Sequence, residues 1–517
     1  MTSSPHFRAN ILFLSCAALF LFLHLFRLPF TPILFEGDHS VHLSNAWRMF
    51  SGEVPFRDFF LITFPGTEFY YLTLYGLFGV HQWLLNVTIF CLLMSLSALG
   101  LFFSRRLLTG WAIYLPVSLF LVIGVRPLGI DGSHRFFGVL AALIAVAIVF
   151  PGRTFFRLGL AGFFCGVASS FTQQRGLLAI TAIVVFLFVE KSYLKQNFST
   201  FFKSVLCVAA PFVLVIAFIL IYFISTAGYE NFYYATFVFP VKNYPADDWN
   251  NFNAYLKEIP NFGALPFLDY LKQAVPILFF YALIPLVYIV FAIVLWFKRR
   301  LIDDEKKLQL IFINLVGLFL AVGVFSARFY QGSILALISL IWIIQVLLPN
   351  QKIINALLLL IALLGISYSV QRQITPVYYL DTPSGAVAFL APENLIRYRW
   401  AAEHTQPFEY LFEPQHPSLY SVFKLKNPTP MGLIRGNNYT TPEQVKSILD
   451  GLQRNPPRYI IWNTLWDELS VRESPDFHLQ PLIDFLKSEY HFSEKLNVFK
   501  DTKGKTEYSV EVWERNQ

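Results

Sequence analysis

The strongest sequence evidence for the fold lies in residues 35–79, FEGDHSVHLSNAWRMFSGEVPFRDFFLITFPGTEFYYLTLYGLFG. This stretch follows an apolar segment long enough to cross a bilayer, in a chain that is 56% hydrophobic and only 14% charged. This composition lies well outside that of soluble domains, so the chain is predicted to be an integral membrane protein. The stretch nevertheless carries five acidic residues, namely Glu36, Asp38, Glu53, Asp58 and Glu68.

Eleven segments are predicted to span the membrane. A helix of about 20 mostly apolar residues crosses a hydrocarbon core about 30 Å thick. The predicted spans are residues 10–29, 83–103, 109–125, 136–150, 158–172, 176–190, 204–225, 274–297, 308–325, 332–348 and 353–370.

The distribution of charge predicts the orientation of these helices. With the N-terminus inside, the short inner loops hold fourteen Lys and Arg, against ten in the longer outer loops of residues 1–371. Eleven of the fifteen Asp and Glu in the same region then face outward. An excess of cations in the inner loops is typical of membrane proteins. An odd number of spans places residues 372–517 outside.

Two domains are predicted. Residues 1–371 form a transmembrane domain with large outer loops at 31–82 and 226–273, and the polar tail 372–517 forms a small mixed α/β domain. All four cysteines lie in predicted spans, so no disulfide framework is expected. Since the net charge of +7 reflects the orientation of the membrane half, no nucleic acid is predicted as a partner.

The first loop is predicted to contain an amphipathic helix. Apolar residues recur at helical spacing after Asp38, and Gly52 ends the pattern. We expect this helix to lie in the outer membrane interface with Trp47 as its anchor. Asp38 stands just before it, where a carboxylate caps exposed backbone N–H groups. Both a capping role and a catalytic role are therefore open for Asp38.

The first loop resembles bacterial members of the protein O-mannosyltransferase-like family. The likeness rests on Asp38 near the outer end of the first span, GEVPFRDFF at 52–60, Pro-Gly at 65–66 and LFG at 77–79. It continues more weakly in three stretches, RPLGIDGSHRF at 126–136, GVASSFTQQRGLLAI at 166–180 and ARFYQG at 327–332. The family belongs to the GT-C class of membrane glycosyltransferases, which includes the aminoarabinose transferase of lipid A. Two positions depart from the family pattern, with His39 in place of Glu and Gln173 in place of Lys.

The resemblance implies a polytopic GT-C fold and a glycosyltransferase. Such an enzyme takes a sugar from a polyprenyl phosphate donor and transfers it with inversion to an acceptor glycan, lipid or protein. The bacterial likeness implies the inner membrane, a cytoplasmic N-terminus and a periplasmic C-terminal domain. Asp38 is then the base that accepts the proton of the acceptor. Asp58 is a second catalytic candidate, although an ion pair with Arg57 is an equally simple role.

The donor phosphate requires cations near the outer ends of the helices. Four arginines fall there, namely Arg126, Arg135, Arg175 and Arg328. Each alone also fits an interfacial residue whose charged head reaches out of the bilayer. His39, His42, Gln174 and Tyr330 are supporting candidates for the site.

Two further interpretations concern ligands. Asp38, His39 and His42 are spaced so that a divalent metal could bridge two of them, but no fourth ligand is identifiable, and no metal or other cofactor is predicted. In the loop 226–273, Asp247 and Asp248 lie among aromatic residues that suit either sugar rings or a membrane interface. Of the other first-loop acids, Glu36 and Glu68 are expected to be solvated or interfacial.

Two other functions remain open. A lipid-linked oligosaccharide ligase or polymerase would depend on arginines more than on a carboxylate. A flippase or transporter of lipid-linked sugars would place ionisable residues along a path in the middle of the bilayer. Here the acids lie in loops and His24 alone is predicted to lie deep, which disfavours transport.

Overall fold

The computed structural model describes residues 5–125, 131–247, 250, 259, 266–322, 329–414, 417–467, 472–500 and 507–516. The chain is a mostly helical, multi-pass membrane protein with an α/β tail, as predicted. A helical segment lies at each of the eleven predicted spans. Their bounds are Pro5–Leu25, Trp83–Leu107, the consecutive turns Gly110–Tyr114, Leu115–Leu119 and Phe120–Val125, then His134–Val149, Phe155–Phe171, Gln173–Tyr193, Phe198–Ala227, the run Phe267–Leu278, Phe279–Leu283 and Ile284–Lys298, then Asp304–Ala321, Phe329–Leu347 and Gln351–Ile374.

Six of these helices, within the described part of the chain, are long and apolar enough to cross a membrane. Four shorter apolar helices of 10 to 17 residues accompany them. The helical character of the eleven segments is therefore confirmed, whereas eleven complete crossings stay a prediction.

The remaining elements belong to the loops and the tail. The helices are Asp38–Phe50, Gly66–Phe78, Tyr229–Tyr233, Tyr234–Val238, Phe239–Lys242, Tyr244–Ala246, Pro392–His404, Ser418–Phe423, Pro442–Arg454, Thr464–Asp467 and Gln480–Glu489. The strands are Phe26–Arg27, Thr31–Pro32, Tyr378–Thr382, Gly385–Phe389, Leu411–Phe412, Tyr459–Asn463, Tyr490–Lys500 and Glu507–Arg515.

The chain divides into two compact units. The helix unit comprises residues 1–28, 87–219 and 255–374. The loop–tail unit comprises residues 29–86, 220–254 and 375–517. The loop–tail unit thus joins the tail to most of the two outer loops that the sequence analysis assigned to the transmembrane domain.

Small residues let the helices of the helix unit approach closely. A Cβ on Gly162 would collide with the carbonyl oxygen of Val208, and one on Gly176 would collide with that of Cys165. Close backbone approach at small residues is a common way to pack helices in membranes, where lipid offers little hydrophobic driving force. These two contacts fix the helix Phe155–Phe171 against its neighbours on either side.

A four-stranded mixed sheet forms the centre of the tail. The strands lie in the order Leu411–Phe412, Tyr459–Asn463, Glu507–Arg515 and Tyr490–Lys500, with the first pair parallel and the others antiparallel. Its apolar core includes Phe412, Ile448, Ile460, Trp462 and Leu482, all at most 1% exposed. The predicted α/β character of the tail is confirmed.

The first loop packs against the tail inside the loop–tail unit. Ten of the thirteen residues of the helix Asp38–Phe50 are buried. Trp47 donates its indole N–H to the carbonyl of Leu425 at 2.7 Å, and Arg48 Nη1 donates to the carbonyl of Thr429 at 2.9 Å. The expectation of an interfacial helix anchored in lipid by Trp47 is therefore wrong. The apolar face of the helix is buried in protein because residues of the tail, more than 370 positions later in the sequence, pack against it.

Candidate active site

The helix Asp38–Phe50, called the first-loop helix below, begins at the predicted base. Gly37 occupies the N-cap position and Asp38 is the first helical residue, with an exposed side chain. Asp38 is therefore not the N-cap, although its charge still lies at the positive end of the helix dipole. An exposed carboxylate at a helix start is accessible to a substrate.

Two histidines of this helix are fixed by the protein. His39 Nε2 lies 2.9 Å from the carbonyl oxygen of Phe35. His42 Nδ1 lies 2.6 Å from Oε1 of Glu68, and the two side chains are 7% and 0% exposed. Glu68 is in the first turn of Gly66–Phe78 and is fully buried, so the expectation that it is solvated or interfacial is wrong. The signal was its spacing from Tyr71 and Tyr75, which lie on the same buried face.

A tyrosine of the tail links Asp38 to a group of charged residues. Tyr439 is 7% exposed, and burial is the largest cause that raises the pKa of its hydroxyl. The negative charges of Asp247 and Asp38 raise this pKa further, whereas the positive charge of Arg435 lowers it. Asp38, Asp247 and Arg435 thus all lie within electrostatic reach of one hydroxyl.

Arg435 is the cation of this group. Its Nε donates to Oδ2 of Asp247 at 3.0 Å, and the two side chains are 31% and 11% exposed. The guanidinium is partly open to solvent, so it can receive an anion while keeping its pair with Asp247. Sequence reasoning missed Arg435 because it is almost 400 residues from Asp38, and the Gly-Asn-Asn turn after it was the only local signal.

Hydrogen bonds hold the Arg435 turn against the loop that carries Asp247. Asn437 Nδ2 donates to the carbonyl of Ala246 at 3.0 Å, and Asn243 Nδ2 donates to that of Asn438 at 2.9 Å. The ring of Tyr439 packs edge-on against Phe239, with ring centroids 5.1 Å apart. These contacts order the guanidinium before any substrate arrives.

The second catalytic candidate, Asp58, stabilises a turn. Its Oδ2 accepts hydrogen bonds from the backbone N–H of Val54 at 2.7 Å and from Arg57 Nη2 at 2.8 Å. The hydrogen bond from Arg57 is the largest cause that lowers the pKa of Asp58. Asp58 thus forms the ion pair with Arg57, one of the two roles expected for it. No described contact joins Asp58 to Asp38.

Glu36 and the tail residue Glu413 share one buried guanidinium. Arg397 Nη2 lies 2.5 Å from Oε1 of Glu36, and its Nη1 lies 2.8 Å from Oε1 of Glu413. Tyr398 also donates to Glu36, at 2.8 Å. Glu36 is thus an ion-pair partner of Arg397 whose side chain remains 29% exposed, which agrees with the expectation that it is solvated or interfacial.

The predicted phosphate-binding residues belong to the helix unit. Arg126 and Arg328 lie outside the described residues. Arg135 and Tyr330 are the second residues of their helices, and Arg175 is the third residue of Gln173–Tyr193, with half-buried Gln174 beside it.

The starts of these three helices lie together. Thr172 Oγ1 lies 3.4 Å from the carbonyl oxygen of His134, and the ring centroids of Phe136 and Tyr330 are 6.2 Å apart. Converging helix N-termini favour a bound anion because their N–H groups carry partial positive charge.

The two described arginines have specific partners in the helix unit. Arg135 Nη1 is 3.9 Å from Oδ2 of Asp131. Arg175 is 2% exposed, and its Nη1 donates to the carbonyl of Leu320 near the C-terminal end of Asp304–Ala321. The interpretation of Arg175 as a lipid-facing residue with a solvated head is therefore wrong, because its head is buried in protein.

Metal-ligating side chains are sparse in the described ranges. No three His, Cys, Asp or Glu side chains there are grouped closely enough to hold a metal ion.

Comparison with known proteins supports the fold. No family model and no curated protein matches this sequence. The chain is similar in structure to ArnT from Cupriavidus metallidurans bound to undecaprenyl phosphate, with 12% identity, a TM-score of 0.54 and coverage of 99% of this chain and 98% of ArnT.

Two structures of the oligosaccharyltransferase AglB from Archaeoglobus fulgidus are also similar. One, in complex with an inhibitory peptide and a dolichol-phosphate, has 11% identity and a TM-score of 0.50 over 100% of this chain and 75% of AglB. The other, with Zn and sulfate, has 13% identity and a TM-score of 0.50 over 97% and 73%. The chain therefore has the GT-C fold of membrane glycosyltransferases, as the resemblance implied.

Proposed function

We propose that this protein is a membrane glycosyltransferase that uses a polyprenyl-phosphate-linked sugar as donor, with Asp38 as its catalytic base. One observation carries the proposal. In a GT-C fold, Asp38 is exposed at the start of the first-loop helix, and it shares the environment of Tyr439 with the Arg435 guanidinium. A base and a cation in one environment are the two groups that this transfer needs.

The reaction follows from these charges. The hydroxyl or amine of the acceptor attacks the anomeric carbon of the sugar and gives its proton to the Asp38 carboxylate. The bond from that carbon to the phosphate oxygen breaks, and its electron pair leaves with the lipid phosphate. Attack from the face opposite the phosphate inverts the anomeric centre. The leaving phosphate is a stable anion, so it needs cations more than a proton donor.

Three described arginines are candidates for phosphate binding. Arg435 offers a partly exposed guanidinium in the loop–tail unit. In the helix unit, Arg135 and Arg175 lie at converging helix starts, with Gln174 and Tyr330 beside them, and Arg126 and Arg328 remain sequence-based candidates. His39 and His42 support the base through the first-loop helix. Asp58 is retained only as a residue that shapes the turn after that helix.

The donor and location are inferred from chemistry and from similar proteins. The ArnT structure holds undecaprenyl phosphate and the AglB structure holds dolichol-phosphate, which supports a polyprenyl phosphate donor here. We infer a hexosyl- or pentosyltransferase of the inner membrane, with a cytoplasmic N-terminus and a periplasmic tail domain. The acceptor is a glycan, lipid or protein, and no metal or other cofactor is part of the proposal.

A lipid-linked oligosaccharide ligase is the second candidate. The arginines at the converging helix starts favour it, because such an enzyme would depend on cations rather than on a carboxylate. A flippase would move the lipid without transferring sugar. The three functions differ in their dependence on Asp38, so one variant separates them.

The test compares wild type, Asp38→Asn and the control Asp381→Asn in cells. Asn keeps the shape of Asp but cannot take a proton. Asp381 is exposed on a tail strand of the same unit and has no role in the proposed site. Mass spectrometry of lipids and glycans should show that wild type and Asp381→Asn add a sugar that Asp38→Asn does not add. Full transfer by a membrane-inserted Asp38→Asn protein would favour the ligase, and no new product from wild type would favour the flippase.

A further inference from the structure

A groove at the surface of the helix unit lies between the helices Ile284–Lys298 and Asp304–Ala321. Its volume is about 400 Å³, and ligand pockets commonly occupy about 300–1,000 Å³. Most of its lining side chains are apolar, and two of them, Trp296 and Leu318, are 64% and 40% exposed. The groove is therefore open on one side to whatever surrounds these helices.

Two polar side chains inside the groove lack partners. Asn314 is 7% exposed and donates from Nδ2 to the carbonyl of Leu310 at 2.8 Å. Its Oδ1 and the hydroxyl of Tyr288 have no hydrogen-bond partner among the described residues. Polar side chains between packed membrane helices are usually hydrogen-bonded across the interface. The groove is therefore not a sealed interface between helices, and it has room for a further molecule.

Two cations line one end of the groove. The Cζ atom of Arg299 lies 4.0 Å from the centroid of the Trp296 ring, and no carboxylate of the described residues pairs with this guanidinium. Lys307 Nζ lies 2.8 Å from Oδ1 of Asp304 and 2.8 Å from the hydroxyl of Tyr193. Since Asp304 offsets the charge of Lys307, the positive charge left at this end is that of Arg299.

The chemistry of the groove fits an anionic phospholipid. The segment Gln273–Lys298 is long and apolar enough to cross a membrane, so an acyl chain can lie along its groove. A guanidinium binds phosphate oxygens through paired N–H groups. A phosphodiester carries one negative charge, which matches the one unpaired cation. A phosphate monoester, such as a polyprenyl phosphate, carries about 1.5 to 2 negative charges at neutral pH and would exceed it.

We propose that this groove binds one anionic phospholipid, with an acyl chain along its apolar wall and the phosphodiester at Arg299 beside Lys307. The charge distribution of the sequence predicts that this end of the helices faces the cytoplasm. Basic pockets between membrane helices on that side bind anionic headgroups. The site shares no residue with the proposed sugar-transfer site, so it adds selective lipid binding to that function.

Native mass spectrometry of the full-length protein in detergent measures the binding. The probes are dioleoyl phosphatidylglycerol, dioleoyl phosphatidylcholine, which has the same chains but no net charge, and undecaprenyl phosphate. Wild type should bind phosphatidylglycerol about fivefold more tightly than phosphatidylcholine, because one unpaired cation favours an anionic headgroup over a neutral one.

The first variant, Arg299→Gln, removes the cation. Its affinity for phosphatidylglycerol should fall about fivefold, to that for phosphatidylcholine. The matched control is Arg106→Gln. The Cζ atom of Arg106 also lies 4.0 Å from the centroid of an aromatic ring, that of Phe102, but Arg106 does not line the groove. This control should keep the wild-type preference for phosphatidylglycerol.

The second variant, Ala292→Trp, fills the groove and leaves both cations in place. Ala292 is an exposed residue of the lining. Binding of phosphatidylglycerol should weaken by about tenfold or more, because the acyl chain loses its buried apolar contact. The matched control is Ile293→Trp, at a neighbouring residue that is 51% exposed and lies outside the lining. This control should bind phosphatidylglycerol as wild type does.

Loss of binding in both groove variants, with both controls unchanged, would support the proposal. Equal wild-type affinity for the two phospholipids, or equal losses in variants and controls, would indicate ordinary lipid contact and overturn it. Tighter binding of undecaprenyl phosphate that is lost in Arg299→Gln would overturn the choice of a phospholipid. If Ala292→Trp does not fold, Arg299→Gln against Arg106→Gln decides. Because sugar transfer is not measured, failure of the Asp38 assignment would leave this result unaffected.

Discussion

Two carboxylate–guanidinium groups of the loop–tail unit join an outer loop to the tail, and they differ in burial. The group of Glu36, Arg397 and Glu413 is closed at its centre, since the side chains of Arg397 and Glu413 are 8% and 2% exposed, whereas that of Glu36 is 29% exposed. The group of Arg435 and Asp247, with Asp38 in electrostatic reach of the same Tyr439 hydroxyl, is open, since Asp38 is exposed and the Arg435 side chain is 31% exposed. The same residue types therefore hold the fold together at one place and present reactive charges at the other.

The difference in burial sets what each group can do. Breaking a buried ion pair leaves an uncompensated charge and destabilises the fold, whereas altering an exposed charge costs little stability. Variants of the closed group should therefore change unfolding, and variants of the open group should change chemistry.

The largest stability effect is expected for Arg397→Met. Above pH 8, where Glu413 is ionised in the folded protein, this change leaves the carboxylates of Glu36 and Glu413 without their shared cation and should cost about 3–5 kcal/mol of unfolding free energy. The control is Arg458→Met, which removes an Arg that is 60% exposed and pairs with Glu514 at 3.1 Å. The control should cost less than about 1 kcal/mol. Thermal unfolding in detergent measures both, and equal midpoints would contradict the contrast.

The closed group should also make stability depend on pH. Burial is the largest of the causes that raise the pKa of Glu413 to about 8. The positive charge of Arg397 lowers this pKa, and the negative charge of Glu36 raises it further. The folded state thus binds a proton that the unfolded state has already released above the ordinary glutamate pKa of 4.5. Stability from this group is fully present below pH 4.5 and is lost as the pH rises toward 8.

The variant Glu413→Gln removes this titration. The unfolding midpoint of this variant should not fall between pH 4.5 and 8, whereas the midpoint of wild type should fall over this range. A wild-type protein that grows more stable over this range would show that Glu413 is ionised throughout.

The smallest effect is expected for a change of Arg435. Arg435→Gln should weaken the binding of undecaprenyl phosphate by about tenfold, because a hydrogen bond to a charged group contributes about 1.5 kcal/mol. Arg454→Gln, at the exposed end of a tail helix, is the matched control. Arg454→Gln should unfold at nearly the wild-type temperature, since Arg454 is exposed. Unchanged affinity in Arg435→Gln would remove this arginine from the phosphate site.

Local patterns in the sequence predicted much of the fold. Apolar runs placed the helical segments of the membrane half, because burial in lipid requires continuous apolar surface. Helical spacing predicted the first-loop helix, and the first loop contained Asp38 together with the motifs of the GT-C resemblance. These features depend on residues close together in the chain.

Long-range contacts could not be predicted in the same way. Glu36 pairs with Arg397, which lies 361 residues later in the sequence. Trp47 donates a hydrogen bond to the carbonyl of Leu425, which lies 378 residues later. Nothing in the local sequence distinguishes a helix buried by a distant domain from one that lies on lipid. For the same reason Arg435, which depends on the fold of the tail, was not a candidate.

The most direct test of the account is the rate of sugar transfer by purified Asp38→Asn, measured together with its affinity for undecaprenyl phosphate. A positioned base contributes about 10²- to 10⁴-fold, so turnover should fall at least about 100-fold. Affinity for the lipid phosphate should stay within about twofold, because the cations are untouched. Wild-type turnover in this variant would contradict the assignment of Asp38 as the base.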